Sequence, residues 1–226
     1  MLNDLSAISP VFANWMFLGR TKGTPLAGLT EDDVSALIAD GVSREDDDTP
    51  FPQAGYWFGA SNGLKGSGRG IRLLIQAGNT LAANYRINTV HLLTERLNEK
   101  NWSIIDLHVL KPAMLAIACA WDATWCGTAP FGIGLLEPPH SQPWFGLEWI
   151  TYLSPRFAPM VTPPRSAIVE RLTGGGLVMI ATEERFETNN PSHLSAARDI
   201  EAALAPINAL PWPPDGTSGS TSVETP

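Results

Sequence analysis

Residues 174–213 constrain the fold more than any other segment, because four local signals follow one another there. Gly174–Gly176 precedes the apolar run Leu177–Thr182, which predicts a tight turn followed by a buried strand. Asn190 can cap a helix over Pro191–Leu204, and a proline-rich stop follows that helix. The predicted inner stripe of the helix consists of Leu194, Ala197, Ile200, Leu204 and Ile207. The segment contains no nucleophile paired with a base, which favours a binding surface over a catalytic site.

The earlier half of the chain has strand patterns joined by turn signals. The predicted strands are Gly55–Gly59, Ile71–Gln76 and Tyr85–Leu93, with hairpin turns at Gly63–Gly70 and Ala77–Asn84. Later segments add strands at Trp125–Ala129 and Gly146–Ser154, and a helical turn or strand at Ala167–Leu172. This order predicts an α+β fold with a mixed, largely antiparallel sheet and packed helices, rather than a doubly wound parallel sheet.

Two further helices have recognisable ends. Thr30 and Asp33 have the spacing of a capping box at the start of a short helix, and Gly41 suits the end of that helix. An apolar helix over Leu110–Trp121 is predicted to contain Pro112 in its first turn, where proline is tolerated.

Length and composition bound the domain organisation. The chain has 226 residues, of which 44% are hydrophobic, enough for one large core or two small ones. We expect a single domain over residues 1–212. Residues 213–226 are small and polar and are predicted to be a disordered tail, because they cannot bury enough surface to offset the entropy of ordering.

The formal net charge of −8 disfavours nucleic acid and anionic membranes as partners and favours a basic one. The chain begins with a polar, acidic segment and contains no apolar run near the ~20 residues that span a bilayer. We therefore expect a soluble, cytoplasmic protein.

The clearest electrostatic feature is an acidic group within residues 31–48. Asp46, Asp47 and Asp48 follow one another after Glu45, and Glu31–Asp33 adds three more carboxylates. These residues form either a solvated loop or a surface that imitates phosphate and docks on a basic partner. Trp144 and Trp149 flank a second candidate contact, where the indoles either anchor an interface or pack in the core.

A second acidic cluster follows the predicted strand at 177–182. Glu183, Glu184 and Glu187 surround Arg185 and could serve acid–base chemistry, a solvated strand exit or a partner-binding edge. His193 is expected to be a structural histidine near the start of the last helix.

Two other constellations have both a structural and a chemical interpretation. Gly63–Gly70, with Lys65 and Arg69, could be a hairpin or an anion-binding loop. Zinc could in principle be held by Cys119, Cys126, His108 and His140. The cysteine spacing of six residues instead favours two buried, inert thiols. No metal or cofactor is expected.

Several segments resemble the immunity protein 52 family of bacterial polymorphic toxin systems. They are Ala120–Asp122 with Trp125, Gly146–Ser154, Gly174–Phe186, Asn190–Leu194 and Leu210–Pro213. The resemblance covers roughly residues 55–212, is strongest after residue 146, and does not extend to residues 1–50.

The resemblance implies a small α+β protein that binds and inactivates a toxin made by the same cell, without catalysis. It implies a partner domain similar to restriction endonucleases, often delivered by a type VI secretion apparatus. No functional residue is carried over, because the family has no catalytic motif to match. Two alternatives stay open: a hydrolase that uses Glu183 and Glu184, and an adaptor or chaperone for a secreted effector.

Overall fold

The computed structural model describes residues 1–19, 23–67, 69–80, 88–94, 104–128 and 146–210. They form two compact units. The meander unit comprises the described residues within 11–94, and the helix-rich unit comprises residues 1–10 with the described residues of 104–210. Each unit combines helices with an antiparallel sheet, so the predicted α+β class is confirmed, with the strands divided between two sheets. The expected single domain over residues 1–212 stays a prediction, and the tail at 213–226 lies outside the described residues.

The sheet of the meander unit follows chain order. Its strands are β1 (Met16–Phe17), β2 (Ala54–Ser61), β3 (Ile71–Asn79) and β4 (Thr89–Thr94), and every neighbouring pair is antiparallel. Side chains alternate between the two faces of the sheet. One face is buried through Ala60, Ile71, Leu73 and Ile75. The opposite face includes Trp57, Gly59 and Leu74, because Gly59 pairs with Leu74 and Trp57 pairs with Gln76.

The turn between β2 and β3 is built around one buried amide. Asn62 is 5% exposed, and its Nδ2 donates to the carbonyl oxygens of Val11 at 3.0 Å and Arg69 at 2.9 Å. Its Oδ1 accepts from the backbone N–H groups of Ile71 at 3.0 Å and Leu64 at 3.2 Å. This network explains the loop as a structural hairpin, and no bound anion is needed to explain its conformation.

The helix-rich unit contains helices α1 (Leu2–Ile8), α3 (Leu107–Ala120), α4 (Pro191–Ala203) and α5 (Ala205–Asn208). Its strands are β5 (Trp125–Thr128), β6 (Ile150–Leu153), β7 (Ile168–Arg171) and β8 (Leu177–Ile180), in the order β5-β6-β8-β7. Strand β8 is buried along its whole length, as its apolar run predicts. Asn190 caps α4 by accepting from the Ser192 N–H at 3.0 Å, which confirms the predicted helix start.

The predicted position of Pro112 is wrong. Helix α3 begins at Leu107, because the Asp106 carboxylate caps it by accepting from the His108 N–H at 2.7 Å. Pro112 therefore lies inside the helix, where its missing N–H removes the bond to the carbonyl four residues earlier. Of the alternatives for Ala167–Leu172, the structure shows a strand, β7. Every described helix is too short to cross a membrane, and α3 has only 14 residues.

Candidate partner-binding surface

The acidic residues 45–48 form the tip of a short hairpin, which we call the acidic hairpin (residues 44–50). Arg44 and Pro50 form an antiparallel bridge, and the Glu45 N–H donates to the Thr49 carbonyl at 2.9 Å. The turn closes with a bond of 3.0 Å from the Asp48 N–H to the Glu45 carbonyl, and Asp48 has a φ of 69°. Aspartate tolerates this left-handed conformation better than most residues. The turn geometry thus holds four consecutive carboxylates at an exposed tip.

Local bonds leave the tip strongly negative. Hydrogen bonds from the Thr49 hydroxyl and then from its backbone N–H hold the pKa of Asp47 below its ordinary value. Arg44 lies 3.7 Å through Nε from the Asp48 carboxylate and donates through a terminal nitrogen to the Asp48 carbonyl at 2.7 Å. Asp46 is exposed and makes no hydrogen bond or ion pair within the described part of the chain. Among the described residues, Arg44 therefore pairs with one of the four carboxylates of the tip, that of Asp48.

Helix α2 (Glu31–Asp40) adds further negative charge, and its predicted capping box is present. The Thr30 N–H donates to Asp33 Oδ2 at 2.9 Å, and the Asp33 N–H donates to Thr30 Oγ1 at 3.2 Å. Bonds from the backbone and then the side chain of Thr30 hold the pKa of Asp33 below its ordinary value. Asp33 serves the cap, whereas Glu31 and Asp32 are exposed to solvent.

Gly41 fixes both acidic elements to the sheet. Its φ of −83° is not left-handed, so backbone conformation does not require glycine here. Glycine is required because a Cβ at this position would overlap the Trp57 carbonyl oxygen. The Gly41 carbonyl accepts from the Trp57 N–H at 2.7 Å, and the Ser43 N–H donates to the Gly55 carbonyl at 2.9 Å. The end of α2 and the start of the acidic hairpin are therefore tied along β2.

A shallow groove of ≈380 Å³ opens beside this junction. Its lining includes Phe17, Leu18, Asp40, Trp57, Phe58 and Leu74. The Trp57 side chain is 47% exposed and that of Leu18 is 43% exposed. The meander unit therefore presents apolar surface directly beside its acidic elements. The sequence predicted Trp57 only as part of a strand and did not single out Asp40. The signal that could have found Trp57 is the alternation of side chains along the strand, which places Trp57 on the face opposite to Tyr56 and Phe58.

The second acidic cluster lies in the helix-rich unit. Glu183 and Glu184 are exposed, whereas His193 is only 5% exposed. His193 Nδ1 accepts from the Glu187 N–H at 3.1 Å, and Nε2 lies 3.6 Å from a Glu184 carboxylate oxygen. His193 Nε2 also lies 3.1 Å from Nδ2 of Asn190, the residue that caps α4. His193 thus orders the turn before α4, and its Nδ1 is already occupied by the Glu187 N–H.

The two predicted tryptophan anchors have different outcomes. Trp149 is 2% exposed, and its indole N–H donates to the Thr182 carbonyl at 2.9 Å, so it packs in the core and offers no free surface. Trp144 lies outside the described residues. The structure therefore places Asp46, Asp47 and Asp48 together in one unit, and Glu183 and Glu184 together in the other.

The cysteines do not form a recognisable metal site. Burial raises the pKa of Cys126 to about 12, so this thiol stays protonated, as expected for an inert cysteine. The expectation of a buried thiol is wrong for Cys119, which is exposed near the end of α3. His140 lies outside the described residues, and the remaining described chain has no cluster of three metal-ligating side chains.

Comparison with known proteins adds the identity of the family. A family model described as Immunity protein 52 matches residues 1–210. The match includes residues 1–50, beyond the range of the resemblance in the sequence segments, and so contains α2 and the acidic hairpin. No curated protein in the comparison matches the chain. The chain belongs to the immunity protein 52 family.

Proposed function

We propose that this protein binds and neutralises a cognate nuclease toxin, encoded nearby and delivered by type VI secretion. Membership of an immunity protein family is the observation that carries the proposal, because such a protein acts by binding a toxin. In the proposal the protein acts in the cytoplasm by binding alone, with no metal, cofactor, nucleic acid or membrane involved.

The electrostatics of the meander unit support a nuclease as the toxin. Nuclease clefts are basic because they bind the phosphate backbone of nucleic acids. The acidic hairpin and helix α2 offer a dense set of carboxylates, and the whole chain has a net charge of −8. Complementary charge raises the rate of encounter and selects partners more than it adds affinity. We assign the primary contact to Asp46, Asp47 and Asp48, and a second contact to Glu183 and Glu184.

Co-expression tests the proposal. We expect this protein to restore growth of cells that express the toxin encoded by the neighbouring gene, and to co-purify with the toxic domain. An unrelated acidic protein of equal net charge is the matched control, because it separates specific binding from bulk charge. Absence of rescue with both proteins soluble would contradict the proposal. Capture of only the delivery domain would instead support the adaptor interpretation.

A further inference from the structure

Asp40 occupies a position that costs helix α2 stability. It is the last residue of α2, and the last turn contains no basic residue. The C-terminal end of a helix carries a partial negative charge, so a carboxylate there is unfavourable. Asp40 also lines the groove of the meander unit. One end of the groove therefore combines a formal negative charge with the negative end of a helix.

Trp57 is hydrogen-bonded to the end of α2 that carries this charge. Its backbone N–H donates to the carbonyl of Gly41, the residue after Asp40, at 2.7 Å. Its indole is 47% exposed and lines the same groove. An indole face attracts a cation. Leu18 and Leu74 extend the apolar lining.

We propose that this groove binds an arginine side chain of the partner toxin. This inference rests on the proposed function above. The guanidinium group would pair with the Asp40 carboxylate and stack on the Trp57 indole. The aliphatic stem would cover Leu18 and Leu74. The groove thus supplies one specific contact within a surface whose other carboxylates act through long-range charge.

The chemistry of the lining favours arginine over other side chains. An acidic side chain would be repelled by Asp40. A purely apolar side chain would leave the Asp40 carboxylate without a cation at the edge of an interface that excludes water. Lysine shares the charge and the apolar stem, but arginine stacks better on aromatic faces and binds carboxylates through two nitrogens.

The test compares two groove variants with two matched controls. Asp40→Asn and Trp57→Leu are expected to weaken binding to the catalytically disabled toxin roughly tenfold each, because each removes one of the two attractive contacts. Asp122→Asn makes the same charge change at an exposed position of the helix-rich unit, and Trp121→Leu replaces a 40% exposed tryptophan in the same unit. Both controls should bind within about twofold of wild type. Groove variants that are folded by circular dichroism and bind as tightly as the controls would overturn the inference.

A second arm separates this inference from the proposed function. If the wild-type protein binds no toxin, the proposed function fails, and the groove is then tested with acetyl-arginine amide by NMR. The Trp57 indole N–H resonance should shift with this probe, but not with the neutral acetyl-citrulline amide and not in Asp40→Asn. No shift at Trp57, or an equal shift with both probes, would overturn the inference.

Discussion

At the scale of single residues, the buried side chain of Asn62 satisfies four backbone groups of the meander unit. Its amide nitrogen serves two carbonyl oxygens and its amide oxygen serves two backbone N–H groups, all within the β2–β3 turn and the segment near Val11. Neither a carboxylate nor an apolar side chain can make all four bonds. The conformation of the turn therefore depends on this one side chain.

We expect Asn62→Asp to lower the free energy of unfolding by about 2–4 kcal/mol, because an oxygen would then face the carbonyls of Val11 and Arg69. Urea denaturation followed by circular dichroism measures this difference. Asn189→Asp, at an exposed position, makes the same chemical change and should leave stability within about 0.5 kcal/mol of wild type. Equal stability of the two variants would show that the network contributes little.

The sequence could not single out Asn62. The glycine-rich pattern predicted a hairpin or an anion-binding loop, and both alternatives rest on local backbone geometry. The deciding bond from Asn62 reaches Val11, 51 residues away in the chain. Such a partner becomes visible only once the chain has folded. The same limit applies to Trp149, whose indole N–H donates to the carbonyl of Thr182, 33 residues away in the chain.

At the scale of elements, prediction succeeded where the signal is local. The capping box of α2, the start of α4 and the buried strand β8 were all predicted, because a cap or an apolar run acts within a few residues. The start of α3 was wrong because Asp106 caps the helix earlier than Pro112 indicated. The groove beside Asp40 could not be predicted, because it depends on how α2 is tied to β2.

The capping box gives α2 a defined pH dependence. The pKa of Asp33 is lowered in the folded protein, so its contribution to stability is complete above the unfolded value of ~3.9 and is lost as the pH falls through the folded pKa. We expect Asp33→Asn to destabilise the protein at pH 7 and to have a smaller effect in acid.

Urea denaturation at pH 7 and in acid measures how much Asp33→Asn destabilises the protein under each condition. Asp32→Asn lies in the same first turn outside the capping box and is the matched control. Equal effects of the two substitutions at pH 7, or a difference that persists undiminished in acid, would contradict this role of Asp33.

At the scale of the whole molecule, negative charge is concentrated on particular elements. Helix α2 alone contains Glu31, Asp32, Asp33 and Asp40, and the acidic hairpin follows it in the chain. The family match covers both elements together with the helix-rich unit. In our account the fold holds these carboxylates in place for a basic partner, and the groove beside them adds one specific contact.

Association kinetics with the toxin test this account most directly. The reversed variant combines Asp46→Lys and Asp47→Lys with Asp48→Asn, because Asp48 has a φ of 69° and asparagine tolerates this left-handed conformation. A variant with asparagine at all three positions is the intermediate control. The account predicts that charge reversal lowers the association rate at low salt by roughly tenfold or more and makes this rate less sensitive to salt. The association rate of the control should lie between those of the wild type and the reversed variant. An unchanged association rate at low salt, with an unchanged salt dependence, would contradict it.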